Sequence, residues 1–502
     1  MDRIVHILAQ GDAAAPAILS PGRTAMSYQD LRDTVGRLAG QLRSAGVGRN
    51  DRVAIVLPNG PEMAITFLAA ASCATAAPLN PKYREDEFRF YLDDLGAKVL
   101  ITRPGDADAA HAAAPSNVVR LAVEGEGSDT TLTAGSKPLE VSPVDQPEAD
   151  DIALVLHTSG TTSRPKIVPL RQRNLTASAQ NIVRSLQFTT ADRGLNIMPL
   201  FHIHGLLAGL LAPLSAGGAV ACSTGFDPFR FFDWLDEIRP TWYTAVPTMH
   251  QIILSRASRN TEVVERSPLR FVRSSSASLP TVVLEDIERV LGVPMIEAYG
   301  MTEASHQMAS NPLPPEVRKP GSVGRGTGID VGIMDDAGHL KSQGQRGEVV
   351  IKGPTVITEY ENNPEANEKG FAHGWFRTGD QGYLDEDGYL FLTGRLKEII
   401  NRGGEKVSPL EIDEVLLRHP AIAQAVAFAV PHAKLGEDIA AAVVVTDGET
   451  VTDREVRDFA ATYLADFKVP RKVLIVEEIP KGPTGKLQRI GLAEQLGLTK
   501  NE

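Results

Sequence analysis

Short apolar runs alternate with helix-length segments through the front of this chain, with strand-like stretches at 53–57 and 99–101 and a helix-like one at 62–71. Parallel strands need crossover connections of that length, so the alternation predicts βαβ units and an α/β fold on a parallel sheet. A chain of 502 residues exceeds what one hydrophobic core encloses, so two or more domains are expected. The 51 basic and 63 acidic side chains leave a formal charge of -12, which suits a soluble protein and argues against a nucleic-acid surface. An anionic substrate must then be held by local cations.

Cys73 and Cys222 are too few for a disulfide framework and no Cys/His cluster has zinc spacing, so a reducing, cytoplasmic compartment is expected. The opening Met-Asp-Arg-Ile-Val-His does not read as a secretory signal, and the closing Lys-Asn-Glu is not a peroxisomal address. The uncharged stretch 205–222 approaches bilayer-spanning length, but Pro213 and four glycines interrupt it, which favours a buried helix, turn and strand and no membrane contact. The Ala-rich 106–115 and the Pro/Asp-rich 138–151 read as exposed connections.

The texture changes at 388–409, where a strand-like run at 389–392 leads into Gly394-Arg-Leu-Lys397 and a loop containing Gly403 and Gly404. A domain boundary is expected here, with 1–394 as the N-terminal domain, 395–397 as a hinge and 398–502 as the C-terminal domain. Ser408-Pro-Leu-Glu411 and Thr452-Asp-Arg-Glu455 both have capping-box spacing, so each should open a helix. Val456, Phe459, Ala460, Tyr463, Leu464 and Phe467 form one apolar stripe at helical spacing. Strands at 425–430, 439–445 and 473–476 would receive it, giving an α+β unit of roughly a hundred residues.

The chemistry concentrates first at 158–166, Thr-Ser-Gly-Thr-Thr-Ser-Arg-Pro-Lys, just after the apolar run 152–156. Five hydroxyls, a glycine amide, an arginine and a lysine where a strand stops make an anion cradle for a polyphosphate. An ordinary polar turn has no need of so many donors beside two cations. The Walker pattern is not met, because Pro165 and Ile167 flank Lys166 where that motif has glycine and a hydroxyl.

Five further segments follow: Phe201-His-Ile-His-Gly205, Glu297-Ala-Tyr-Gly-Met-Thr-Glu303, Thr378-Gly-Asp380, Gly394-Arg-Leu-Lys397 and Pro480-Lys-Gly-Pro-Thr-Gly-Lys486. Each alone is a weak signal. In this order behind the 158–166 loop, they resemble the adenylate-forming superfamily of acyl-CoA synthetases, peptide-synthetase adenylation domains and luciferases, over essentially the whole chain.

That resemblance implies a large N-terminal domain of parallel βαβ subdomains with a small β-barrel-like part, and a mobile α+β lid. It implies an AMP-forming ligase that takes ATP, CoA and a small carboxylic acid, with Mg2+. Thr158, Ser159, Gly160, Thr161, Thr162 and Lys166 then lie on the pyrophosphate side of ATP. Glu297, Ala298, Tyr299, Gly300 and Met301 belong to the nucleotide site with Tyr299 near the adenine, Thr302 meets the α-phosphate and Glu303 holds Mg2+. Asp380 and Arg395 match the ribose-binding positions. Lys486, which would bridge the reacting carboxylate and ATP, is the expected catalytic residue, with Thr302 and His202. Its surroundings resemble those in which family members are silenced by lysine acetylation, a change that deletes the charge. Lys397 matches the hinge, Gly403 and Gly404 the edge of the pantetheine tunnel for CoA, and His202 the acyl and thiol sites, while His204 reads as a core histidine.

In this superfamily the acyl pocket is lined by segments that read here Arg273-Ser-Ser-Ser-Ala-Ser-Leu-Pro280 and Ala304-Ser-His-Gln-Met-Ala-Ser-Asn311, and both are polar. A second carboxylate at ~4 Å from a cation gains about 4 kcal/mol at intermediate dielectric, which selects a dianion over a monoacid. Arg273, Ser276 and His306, with His202, are the expected acid contacts. The same segments resemble the oxalate-CoA ligase subgroup, which implies oxalate. Malonate or another short dicarboxylate stays open, as does a stand-alone amino-acid adenylating domain, although no Asp near the histidine motif is placed to pair an amine. The alternative for Arg273 is a structural ion pair with an acidic neighbour, which leaves His306 outside direct contact. A non-catalytic binding protein on this fold should have lost the ATP lysine or the Mg2+ carboxylate, and Lys486, Glu303, Asp380 and Arg395 are all present. The superfamily usually has glycine where Ile167 stands; a positive φ there would cost about 1–2 kcal/mol and displace Lys166.

Overall fold

The apolar runs at 53–57 and 99–101 become the strands Arg52–Ile55 and Val99–Thr102, in a computed structural model that describes residues 1–135, 137–158, 165–480 and 488–498. Both pair in parallel, with Thr75–Pro78 and Val119–Glu124 on their outer sides. Ile152–Thr158 extends the parallel set, and Lys166–Arg171 turns back antiparallel to it with Lys166 opposite Thr158. Among the described residues the strands form four sheets, and this is the eight-stranded one.

A second sheet of nine strands has a parallel centre of Ala219–Cys222, Arg193–Asn196, Trp242–Ala245, Phe271–Ser274 and Met295–Met301, with His306–Ser310 antiparallel beside the last. Helix Pro61–Ala71 is buried along its whole length because it lies between the two large sheets, touching Ile152–Thr158 of one and Ala219–Cys222 of the other. A helix apolar all round requires such a sandwich. An antiparallel meander, Asp330–Met334, Gly347–Lys352, Trp375–Leu384 and Leu390–Arg395, forms the third sheet. The fourth, beginning at Ile400–Arg402, is dominated by the long hairpin Ile422–His432 and Gly436–Val445, with Lys472–Ile475 parallel at its side.

The stretch 205–222 holds the π-helix His204–Leu211, a helical turn at Ala212–Ser215 and the strand Ala219–Cys222, all buried. Among the described residues no helix is long and apolar enough to cross a membrane. The expected exposed connection at 106–115 contains a short helix, Asp108–Ala113, which packs on helix Glu85–Leu95 and buries Ala110 and Ala113. Alanine's helix propensity and small size suit that close contact.

The two capping boxes part ways. Thr452 is made as read: its hydroxyl accepts from the Glu455 amide at 3.3 Å, and the Glu455 carboxylate accepts from the Thr452 amide at 2.8 Å. Ser408 precedes helix Pro409–Leu416 but does not cap it, because its hydroxyl donates to the Thr393 carbonyl in the meander. The helix opened by Thr452 ends at Ala461, so the apolar stripe is shorter than its spacing suggested, and Tyr463 is 58% exposed.

Just beyond 481–487, Arg489 is part-buried, its Nη2 donating to Asp413 Oδ2 at 2.6 Å and its Nη1 to the Ala427 carbonyl at 3.0 Å. Its Nε lies 3.2 Å from Glu398 Oε2, immediately after Lys397. Two carboxylates and a carbonyl satisfy this part-buried cation.

Thr452→Ala should lower the free energy of unfolding by about 1 kcal/mol in denaturant titration, with Thr452→Ser recovering most of it. An unchanged midpoint for the alanine variant would mean that the reciprocal bonds are matched by water in its place.

Candidate active site

In an open parallel sheet, ligands bind beyond the carboxyl ends of the strands. Four neighbouring strands of the nine-stranded sheet end together, and the segments after them carry His202 and His204, Ser276, and Thr302, Glu303 and His306. The register does the rest of the placing. Thr244 pairs with Arg273 across adjacent strands, so both side chains leave the same face.

On the phosphate side, Thr158 and Lys166 stand opposite one another at the base of the hairpin; Ser159, Gly160, Thr161 and Thr162 lie outside the described residues. The Lys166 ammonium sits 4.4 Å from the centre of the Tyr360 ring. Burial lowers its pKa, Lys397 lowers it further, and Glu303 opposes both. The Tyr360 hydroxyl donates to Glu303 Oε1 at 2.8 Å. Tyr360 therefore touches both Lys166, expected at the phosphates of ATP, and the expected Mg2+ carboxylate, and nothing in its own sequence surroundings marks it. It arrives because Glu361 pairs with Ile167. Ile167 itself has extended backbone within Lys166–Arg171 and is buried, so the strain expected from a positive φ does not arise.

Glu303 lies in the short turn Thr302–Ala304 after Met295–Met301. Burial raises its pKa, while Tyr360, Lys166 and Arg395 favour its charged form. Such a carboxylate fits Mg2+, which takes one or two protein carboxylates along with substrate phosphates and water. Among the described residues no group of three or more His, Cys, Asp or Glu side chains makes an all-protein cage.

Glu297, Ala298, Tyr299, Gly300 and Met301 lie on the strand leading to that turn. The Tyr299 hydroxyl donates to Asp380 Oδ2, and Arg395 Nε donates to Asp380 Oδ1 at 3.0 Å across a register pair of the meander. Glu297 is buried, accepts from the Gly321 amide at 3.2 Å, and has its pKa pushed up to about 8, by burial first and by Glu414 of the C-terminal unit. Glu414 in turn accepts from Thr281 at 3.0 Å, a direct contact between the two parts of the chain.

On the acid side Arg273 is fully buried, at 0% exposure. The ion pair considered for it is not formed with any described carboxylate. Instead Nη1 lies 3.3 Å from His204 Nε2 and 3.2 Å from Thr244 Oγ1, and Nη2 lies 3.2 Å from His306 Nε2 and 3.0 Å from Gln307 Oε1. The two imidazoles stack with centroids 4.9 Å apart. Ser276 Oγ is 3.0 Å from His204 Nδ1, and Ser276 and His306 hold φ of 74° and 91°. Positive φ in non-glycine residues concentrates at sites that the surrounding structure over-determines. His204, expected in the core, is buried but belongs to this cluster. Thr244 and Gln307 were not foreseen, because their roles depend on strand neighbours distant in sequence.

His202 is half-buried, with its ring 4.7 Å from that of Phe201. Lys397 lies between Leu390–Arg395 and Ile400–Arg402, near enough to Lys166 to act on its charge. Gly403 and Gly404 form the two-residue turn of a hairpin with φ of 61° and 97°, a geometry that itself selects glycine. Lys486 lies outside the described residues.

The chain belongs to the AMP-binding enzyme family: residues 7–361 match the model of the AMP-binding enzyme and 411–486 that of its C-terminal domain. Among curated proteins, it is 47% identical over 483 residues to an oxalate-CoA ligase of Arabidopsis thaliana, covering 94% of each chain. It is 40% identical over 506 residues to an oxalate-CoA ligase of Saccharomyces cerevisiae, covering 94% of this chain and 92% of the other. Among solved structures, ATP-bound MatB from Rhodopseudomonas palustris superposes with a TM-score of 0.90 at 30% identity, over 98% of both chains.

Tyr360→Phe keeps the ring under Lys166 but removes the hydroxyl from Glu303. It should reduce kcat/KM for ATP roughly tenfold and raise the magnesium concentration needed for half-maximal rate, while leaving KM for the acid alone. Magnesium dependence identical to the parent would remove Tyr360 from that role. Glu297 gives a pH test. Its folded pKa is raised, so stability is full below the ordinary value of 4.5 and declines as pH climbs toward about 8. Glu297→Gln should flatten that decline in thermal melts across the same window; an unaltered slope would assign it to other groups.

Proposed function

We propose that this chain is an ATP-dependent, AMP-forming acid-CoA ligase whose acid is oxalate. The observation that carries the reading is the closed polar cluster beyond the strand ends, where a buried arginine and two stacked histidines meet Ser276, two residues past the strand Phe271–Ser274 that pairs with Met295–Met301. Likeness along nearly the whole chain to two proteins named oxalate-CoA ligase supports it.

In the first step an oxygen of the acid attacks the α-phosphorus of ATP and pyrophosphate leaves. Charge builds on phosphoryl oxygens, so catalysis rests on donors already in place. Lys486 bridges the acid carboxylate and ATP, and Thr302 donates to the α-phosphate. Thr158, Ser159, Gly160, Thr161, Thr162 and Lys166 hold the departing pyrophosphate. Mg2+ held by Glu303 would neutralise phosphate charge. Asp380 and Arg395 take the ribose hydroxyls, and residues 297–301 border the adenine. Ser276 and His306 contact the far carboxylate of the acid, with the positive charge of Arg273 behind them, an arrangement that favours a dianion over a monoacid.

In the second step the unit from 398 onward turns about 395–397, with Lys397 at the hinge. Gly403 and Gly404 then border the pantetheine arm of CoA, and His202 the thiol. The sulfur attacks the acyl carbon, AMP leaves, and oxalyl-CoA results. A cytoplasmic setting supplies ATP and CoA, and acetylation of Lys486 would stop the first step by deleting its charge.

The protein is incubated with ATP, Mg2+, CoA and either oxalate, malonate, glyoxylate or acetate, and AMP and thioester are measured. Oxalate should lead by more than about tenfold, the selectivity that a single ion contact supports. Malonate in the lead would lengthen the acid, and AMP formation with an amino acid would change the class. Ser276→Ala and His306→Ala should each lose oxalate turnover with KM for ATP kept. Fully acetylated Lys486 should show no pyrophosphate exchange; exchange at the parent rate would remove it from catalysis.

A further inference from the structure

Arg273 is a cation sealed in the protein at 0% exposure, and no described carboxylate neutralises it. Burying a charge without a counter-ion is costly, so the groups that receive it are informative. A guanidinium has only N–H donors. Every atom it faces must therefore present a lone pair, and two of those atoms are Nε2 of His204, at 3.3 Å from Nη1, and Nε2 of His306, at 3.2 Å from Nη2. Neither ring can carry a proton on Nε2 in that arrangement, so both are neutral with the proton on Nδ1.

Two further contacts of His204 agree with that assignment. Arg273 donates to Thr244 Oγ1 at 3.2 Å, and the Thr244 hydroxyl, 2.6 Å from His204 Nε2, donates a hydrogen bond to the lone pair of that nitrogen, which the longer Arg273 contact at 3.3 Å shares. On the other side His204 Nδ1–H donates to Ser276 Oγ at 3.0 Å. An oxygen that accepts there keeps its O–H to donate elsewhere. The stacked geometry points the same way: a second charge on rings 4.9 Å apart and beside a guanidinium would be opposed by both neighbours. Arg273 Nε has no hydrogen-bond partner among the described residues and is shut off from solvent, so no edge of the guanidinium is open to a ligand.

We propose that Arg273 is a positioning residue rather than an acid contact: it holds His204 and His306 as neutral, Nδ1-protonated rings, and through His204 it turns the Ser276 hydroxyl outward as the donor that reads the far carboxylate of the acid. This makes His204, with Thr244, part of the specificity apparatus. The inference rests on the reading of this pocket as the acid site, and it replaces the direct contact by Arg273 that sequence alone suggested.

Two measurements separate the inference from that reading. Histidine-selective 15N NMR of the intact protein, assigned with His204→Gln and His306→Gln, should give both rings the Nδ1–H signature, unchanged as pH passes the ordinary imidazole value of about 6.5. An Nε2–H or doubly protonated ring at either position in the parent protein overturns the proposal, whatever the substrate is. In steady-state kinetics Arg273→Met should raise KM for oxalate roughly tenfold while KM for ATP stays within about twofold, and Arg273→Lys should recover part of it through its remaining donor. In Arg273→Met the His204 tautomer signature should be lost along with oxalate affinity. Loss of affinity with both signatures intact would mean that Arg273 acts on the acid directly, and would sink the proposal. If Ser276→Ala leaves KM for oxalate unchanged while the NMR result holds, the pocket assignment fails and the tautomer assignment stands. If Arg273→Met does not fold, Arg273→Lys and the parent NMR decide alone.

Discussion

The parallel register of Trp242–Ala245, Phe271–Ser274 and Met295–Met301 is the constraint on which the site depends. It sets Thr244 beside Arg273 and ends three strands at one edge, so that the following segments converge. Because successive residues of a strand face opposite sides, a shift of one residue would carry Arg273 to the other face and leave two histidines without their common donor. The backbone ladder thus does for this cluster what a metal does in other enzymes: it fixes the ring orientations from behind.

The cluster around Tyr360 is organised differently. Its groups come from three separate places, the hairpin at Lys166, the turn at Glu303 and the meander at Asp380 and Arg395, and Tyr360 joins the first two. Each of these charged groups is partly desolvated and each has a neighbour of opposite sign or a hydroxyl. That balance keeps the buried carboxylates Glu303 and Asp380 tolerable beside the half-buried Lys166 and the exposed Arg395. The contact between Thr281 and Glu414, close to the protonation-sensitive Glu297, shows that the C-terminal unit is part of the same electrostatic setting.

The fold class was legible in the alternation of apolar runs with helix-length segments, since strand and helix periodicities are local properties. So was the buried character of 205–222, because glycine and proline interrupt any span. Local patterns misled where a side chain had a distant alternative. Ser408 has the spacing of a cap yet bonds Thr393, and the alanines at 106–115 look like a solvated link yet pack as a helix.

By itself the sequence determined the family, the order of the motifs and the polar character of the segments 273–280 and 304–311, because those depend on which residue types are present and in what succession. Tertiary structure alone decided that Arg273 is enclosed by two imidazoles, that His204 belongs to the site and that Tyr360 links Lys166 to Glu303. Those are contacts between strands and turns far apart in the chain. Hydrogen-bond direction and burial exist only once the sheet has brought them together.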